Sequence, residues 1–173
     1  DDRDALELLA TAQEELGNPL EAVKALTRMK QIDPSDLSVY FRLASLYRGM
    51  NDPEAALATL KTVEATEEEN PRAWEASRDI HLARGEMVQA YNEQKKLMKL
   101  RGKDASRAEQ AMFLSLRYEK ALVRLSQGKG DDAERRLRDV IKDDPSFCAA
   151  HIARSDHLRT RSLDDATEAL LQG

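Results

Sequence analysis

The chain has 173 residues, 41% of them hydrophobic and 34% charged, with a formal net charge of −5. That length supports one domain or a short repeat array with a real core, and seven glycines, five prolines and 5% aromatics disfavour a sandwich or barrel of many turns. A single cysteine, Cys148, excludes an internal disulfide framework and a cysteine-built zinc cluster, and no apolar run approaches the roughly 18 residues that a membrane-spanning helix needs. The sequence opens Asp1-Asp2-Arg3 without a methionine and stops at Leu170-Leu171-Gln172-Gly173 inside an amphipathic stretch. It is therefore expected to be a piece of a longer chain whose cut end exposes Leu170 and Leu171.

Residues recur at a spacing of 34: Ala22, Ala56 and Ala90; Gly17, Asn51 and Gly85; Leu6, Tyr40 and Trp74; Met29, Val63 and Leu97. Each period holds two apolar stripes of helical spacing around a short polar turn, which predicts a helix, a turn and a second helix. In the first unit, about 3–36, Asn18-Pro19 opens the second helix, with Glu21 completing a capping-box arrangement. The second unit, 37–70, repeats this with Asp52-Pro53. Gly17 and Gly85 stand where a helix ends in a left-handed residue.

The third unit, 71–104, is degenerate. It keeps Trp74, Gly85 and Ala90 but puts Ser77, Arg78 and His81 where Leu, a small residue and Tyr are due. Either these form a polar site near Trp74, or the helix shifts locally to an apolar stripe of Ala73, Ala76, Ile80 and Ala83; the cost of an unpartnered buried arginine favours the second. The fourth unit, 106–146, carries about nine extra residues, placed in the loop Gly102–Ala105 and in a long helix over 106–126. Ser106 with Glu109 and Asp131 with Glu134 mark its helix starts. The fifth, 147–173, is partial, with its second helix cut short.

Tyr40-x2-Leu43-Ala44-x2-Tyr47 followed by Ala56-x3-Leu60, with Leu6-x2-Leu9-Ala10, Ala22-x3-Leu26 and Pro34 before it and Ala133-x3-Leu137 and Pro145 after it, resembles the tetratricopeptide repeat. The resemblance implies one all-α array over 1–173, a right-handed α-solenoid of antiparallel helix pairs with a concave groove lined by the first helix of each pair. It implies a non-catalytic scaffold that binds a protein or peptide there. Carried onto this sequence, the groove positions are Asp4, Glu7, Thr11 and Glu14; Ser38, Phe41, Arg42, Ser45 and Arg48; and Arg72, Glu75 and Asp79. Phe41 is either a desolvated anchor flanked by Arg42 and Arg48 or an ordinary contact between repeats. A subset of the family clamps a C-terminal carboxylate with Lys and Asn; Glu7, Thr11, Phe41 and Ser45 occupy those places here, so that clamp is not expected.

Lys96 to Asp104, with Tyr118-Glu119-Lys120-Ala121-Leu122, is similar to the middle of the bacterial lipopolysaccharide assembly protein B family. That resemblance implies a role in bacterial envelope assembly and a cytoplasmic location, at the inner-membrane face in the full-length protein. Repeats of this kind also precede the catalytic region of N-acetylglucosaminyltransferases, so a substrate-binding or regulatory arm of such an enzyme is the alternative.

No catalytic motif is present, neither G-x-S-x-G, P-loop, dinucleotide fingerprint nor H-E-x-x-H. Gly128-Lys129-Gly130 reads as a turn between helices, and Cys148, His151 and His157 as packing and surface positions, so no metal or cofactor is expected. Charge is uneven: residues 1–94 hold 10 basic and 19 acidic side chains, residues 95–142 hold 14 and 7. The basic block, including Lys95, Lys96, Lys99, Arg101, Lys103 and Arg107, reads first as a solvated face and next as a surface for an acidic protein or lipid. Only Phe113 and Tyr118 are aromatic within it, a poor endowment for stacking nucleic-acid bases.

Overall fold

The computed structural model describes residues 2–172, with the side chains at 165, 166 and 168–172 outside the description; the expected exposure of Leu170 and Leu171 lies outside the described residues. Among the described residues the secondary structure is entirely helical, and the chain divides into two compact units, residues 1–85 and 86–173.

Unit 1 contains α1 (Asp2–Glu15), α2 (Pro19–Ile32), α3 (Leu37–Gly49), α4 (Pro53–Thr66) and α5 (Pro71–Ala83). The turns inside its pairs share one construction. Gly17 and Asn51 sit at φ +70° and +59°, the left-handed region. The amide three places past each helix reaches back across a six-residue span: Asn18 N–H to the Gln13 carbonyl and Asp52 N–H to the Tyr47 carbonyl, both 2.8 Å. This satisfies carbonyls that the helix leaves open. Asp52 then caps α4, accepting from Ala55 N–H at 3.0 Å. Asn18 does not cap α2 as expected: its Nδ2 donates to Gln13 Oε1 at 2.9 Å, and Glu21 pairs with Lys24 at 2.6 Å. An asparagine carries a donor that an aspartate lacks, and Gln13 supplies the acceptor that draws it away.

Between pairs, Asp33-Pro34-Ser35 ends α2. The proline disfavours a helical Asp33, which sits extended at φ −134° and accepts from Ser35 N–H and Oγ at 3.0 and 2.6 Å. Tyr40 donates its hydroxyl to the Pro34 carbonyl at 3.0 Å. The core follows the period: Ala10, Ala25, Leu26, Met29, Val39 and Leu43 form one cluster and Ala44, Ala56, Leu60 and Ile80 the next. Fully buried alanines let the helices approach, and Leu26 and Leu60 fill the space between them.

The expected re-registration of α5 does not occur. Trp74 and Ser77 stay buried on the repeat's own register beside Ala73 and Ile80, while Ala76 is half-buried and Ala83 exposed. A small serine in place of Leu43 keeps the helix in phase, and Arg78 turns aside to Asp79 at 2.7 Å.

Unit 2 contains α6 (Met87–Arg101), a 3-10 turn (Gly102–Asp104), α7 (Arg107–Ser126), α8 (Gly130–Asp143) and α9 (Cys148–Gln172). The inserted residues supply the turn and lengthen α7 to 20 residues, and α7 opens on a complete capping box between Ser106 and Glu109. Gly128 repeats the left-handed turn at φ +71°. Gly130 is not part of that turn but opens α8, with Lys129 at the cap, so Asp131 lies in the first helical turn rather than at the cap. Asp144-Pro145-Ser146 repeats the Asp33 turn, and His151 Nε2 lies 3.0 Å from the Pro145 carbonyl, as Tyr40 does from Pro34. Gln94 occupies the register of Leu26 and Leu60 yet is fully buried, its Nε2 donating to the Glu109 carbonyl at 3.4 Å.

The second helix expected in 147–173 is absent: α9 runs unbroken from Cys148 to Gln172. The position 34 after Gly128 is Ser162, which lacks the left-handed tolerance of Gly or Asn, so nothing turns the chain there.

Candidate functional site

The predicted groove residues lie on α1, α3 and α5 of unit 1, and the structure sorts them into two groups. Arg42 draws three of them together. Its Nε donates to Glu14 at 3.1 Å, its Nη1 to Glu7 at 2.5 Å and its Nη2 to the Thr11 hydroxyl at 3.3 Å. Burial works against the Arg42 charge, but its hydrogen bonds to Glu14 and Glu7 outweigh this and hold the guanidinium above its ordinary value. These charges serve to fasten α3 to α1. Asp4 stands exposed on α1, outside this group.

The second group surrounds an open cavity of about 140 Å³ lined by Phe41, Ala44, Ser45, Arg48, Leu60, Arg72, Ala76 and Ile80. Its walls come from α3, α4 and α5, so it exists because the second helix pair packs on α5. Phe41 is half-buried, and the Arg72 guanidinium carbon lies 4.2 Å from its ring centroid. The expected flanking of Phe41 by Arg42 is replaced by Arg72, because Arg42 is committed to Glu7 and Glu14. Ser45, Arg48 and Arg72 are exposed at the rim. Ser38 and Asp79 are exposed but do not line the cavity; Glu75 is half-buried. Asp79 holds Arg78. The floor residues Leu60, Ala76 and Ile80 were not among the groove positions carried over from the repeat. Their signal in the sequence is the conjunction of a small residue, Ala76, with the apolar phase of the neighbouring helices.

In unit 2 the two aromatic residues of the basic block are engaged internally. Phe113 stacks on Tyr91 with ring centroids 5.6 Å apart, and Tyr118 meets Phe147 in a tilted contact at 5.4 Å. Cys148 is exposed, and among the described residues no helix is long and apolar enough to cross a membrane.

A scaffold of paired helices, each turn closed by a left-handed residue and each pair burying alanines at a fixed spacing, defines a helical-repeat protein. The sequence matches the tetratricopeptide repeat family over residues 13–80 and again over 118–173, more than half of the chain, and the protein belongs to that family. No curated protein matches the sequence at a significant level. Solved structures share the fold. One is the TPR domain of P58(IPK), 17% identical, with a TM-score of 0.61 over 91% of this chain and 45% of its own. Another is the MamA protein, 16% identical, with a TM-score of 0.54 over 99% of this chain and 88% of its own. The first TPR of Spaghetti (RPAP3), bound to the HSP90 peptide SRMEEVD, is 15% identical, with a TM-score of 0.55 over 70% of this chain and 96% of its own.

Proposed function

We propose that unit 1 is a non-catalytic docking scaffold that receives a short segment of a partner protein at the Phe41 cavity. The observation that carries this is the pairing of an apolar floor with two exposed arginines, Arg48 and Arg72, on the rim of one open cavity. Such a site takes an apolar side chain against Phe41 and Ala76, above the buried Leu60 and Ile80, while a neighbouring carboxylate meets the arginines, which suit carboxylates by their planar fork. The partner segment is thus mixed acidic and apolar. A bare C-terminal carboxylate clamped over α1 does not fit, because Glu7 and Glu14 stand there. The test is a peptide display selection against the full chain, repeated with Phe41→Ala combined with Arg48→Glu. Selected peptides are expected to bind the double variant at least about 30-fold more weakly, at a temperature where far-UV circular dichroism shows both proteins fully folded. Equal binding to both proteins sinks this reading.

A narrower proposal rests on the resemblance of 96–104 and 118–122 to the lipopolysaccharide assembly protein B family. The chain would then be the repeat region of an envelope-assembly protein working at the cytoplasmic face of the inner membrane. A C-x2-C pair in the sequence that follows these residues supports it; a nucleotide-sugar domain there overturns it.

A further inference from the structure

The apolar signature of unit 1 returns in unit 2 with its large members exchanged for cations. Counting 77 residues on from Ala44, Ala56, Leu60 and Val63 gives Ala121, Ala133, Leu137 and Val140, all four fully buried. The register is therefore kept. The same step takes Tyr40, Leu43 and Tyr47, the bulky residues that pack α3, to Arg117, Lys120 and Arg124 on α7. Three apolar positions have become basic in a helix pair whose small and aliphatic positions are intact.

Two of these cations, Arg117 and Lys120, line a cavity of about 110 Å³ together with Tyr91, Arg136 and Asp139. The acids nearby are mostly committed. Asp132 takes Arg124 at 3.3 Å, Arg135 at 2.5 Å and Arg136 at 3.0 Å, and Asp143 takes Arg117. Lys120 is half-buried, and its ammonium rests on the Tyr91 ring, 3.9 Å from the centroid. Burial, with Arg136, Arg124 and Lys95 close by, pushes the Lys120 ammonium below its ordinary value; Asp132 opposes this only weakly. With these ion pairs counted, five basic side chains (Arg117, Lys120, Arg124, Arg135 and Arg136) stand against three carboxylates (Asp132, Asp139 and Asp143), which leaves the cavity and its surroundings at about +2. Like charges held this close are mutually unfavourable, and a leucine at position 120, as in α3, would relieve them.

We propose that this cavity is a binding site for a phosphate-class dianion, either free inorganic phosphate or a phosphate monoester. A phosphoryl group at neutral pH carries about −1.5 to −2, which matches the lining, and offers acceptor oxygens to Arg117, Arg136 and Lys120 together. The cavity has room for one such group. This site is independent of the docking cavity in unit 1.

The experiment uses the full chain, with thermal melting and calorimetric titration by inorganic phosphate, phosphoserine and acetate at equal ionic strength. Wild type is expected to bind phosphate saturably and to melt higher as phosphate is added. Lys120→Leu and Lys120→Met are expected to melt higher than wild type without phosphate and to bind it at least about tenfold more weakly. Lys61→Met, in unit 1, serves as the control and leaves phosphate binding unchanged. Phosphate also stabilises proteins generally, as an excluded salt, and that rise is common to every variant. Tighter inorganic phosphate assigns the free ion, and tighter phosphoserine assigns the ester. A phosphate response that is the same in wild type and both Lys120 variants, or acetate binding as tightly as phosphate, overturns the proposal.

Discussion

Gly128 and Gly130 stand two residues apart and are glycine for different physical reasons, which mutation separates. Gly128 holds φ +71° with nothing within 4 Å of the place a Cβ would take. Alanine there meets no neighbour, so its whole penalty is conformational, about 1–2 kcal/mol. Gly128→Asn should lose less, since Asn51 holds the matching turn at φ +59°. Gly130 is in α8 with ordinary helical geometry, but a Cβ would lie 2.5 Å from His157 Cε1 and 2.9 Å from its Nε2. Alanine there gains helix propensity of up to about 1 kcal/mol and pushes the half-buried His157 ring aside, an overpacking cost of about 1–3 kcal/mol, for a net loss of roughly 1 kcal/mol. With His157→Ala the obstruction is gone, and Gly130→Ala should then stabilise by about 0.5–1 kcal/mol. Gly128→Ala should cost the same in both backgrounds. Urea unfolding followed by far-UV circular dichroism provides the four free energies of the cycle. Gly130→Ala having the same sign with and without His157 would refute the steric account, and an innocuous Gly128→Ala would refute the conformational one.

Ser106→Ala removes one half of a complete capping box and is expected to lower stability by about 1 kcal/mol in urea unfolding, whereas Asn18→Ala, whose side chain does not cap, should cost clearly less. Leu60→Ala opens a fully buried site in the core of unit 1, with an expected loss of about 2–5 kcal/mol by the same measurement. The Asp36 carboxyl is held below its ordinary 3.8, first by the Ser38 hydroxyl and then by Ser38 N–H and Arg3, with burial opposing. A depressed carboxyl contributes stability that is fully present above pH 3.8 and is lost as pH falls through the lower folded value. Asp36→Asn should therefore melt less steeply with acid below about pH 4 than wild type, as read from melting temperatures across that range.

Much of the fold was visible in the sequence because its turns are chemically explicit. Gly17, Asn51 and Gly85 mark left-handed residues, Pro19, Pro53 and Pro71 open helices, and Ala22, Ala56 and Ala90 recur in the close-packed seam. The misreadings came where one residue type admits two partners. Asn18 reads as a cap by type, but its amide found Gln13. Ser77 reads as a defect, yet it stays buried in phase because a small side chain can occupy a leucine's place without forcing the helix to rotate. The fifth unit was expected to turn because its predecessors do. The turns within the earlier pairs each rest on a Gly or Asn in the left-handed region, and Ser162 is neither.

The candidate sites were less legible than the fold, and for the same reason in both units: the carry-over from a repeat names positions but not what neighbouring helices do to them. Arg42 was expected to flank Phe41, but the acids on α1, invisible in the α3 pattern alone, claimed it, and Arg72 from α5 covered the ring instead. Had α1 carried neutral residues at Glu7 and Glu14, the same α3 would present a different rim. In unit 2 the signal was present at a spacing of 77, concealed by the nine-residue insertion that moved it off the 34-residue period. A search for conserved apolar spacing finds Ala121, Leu137 and Val140 and passes over Arg117, Lys120 and Arg124, because a departure from a pattern registers only after the pattern has been aligned through the insertion. Buried small residues therefore locate the register, and the large positions within that register show where packing has given way to charge.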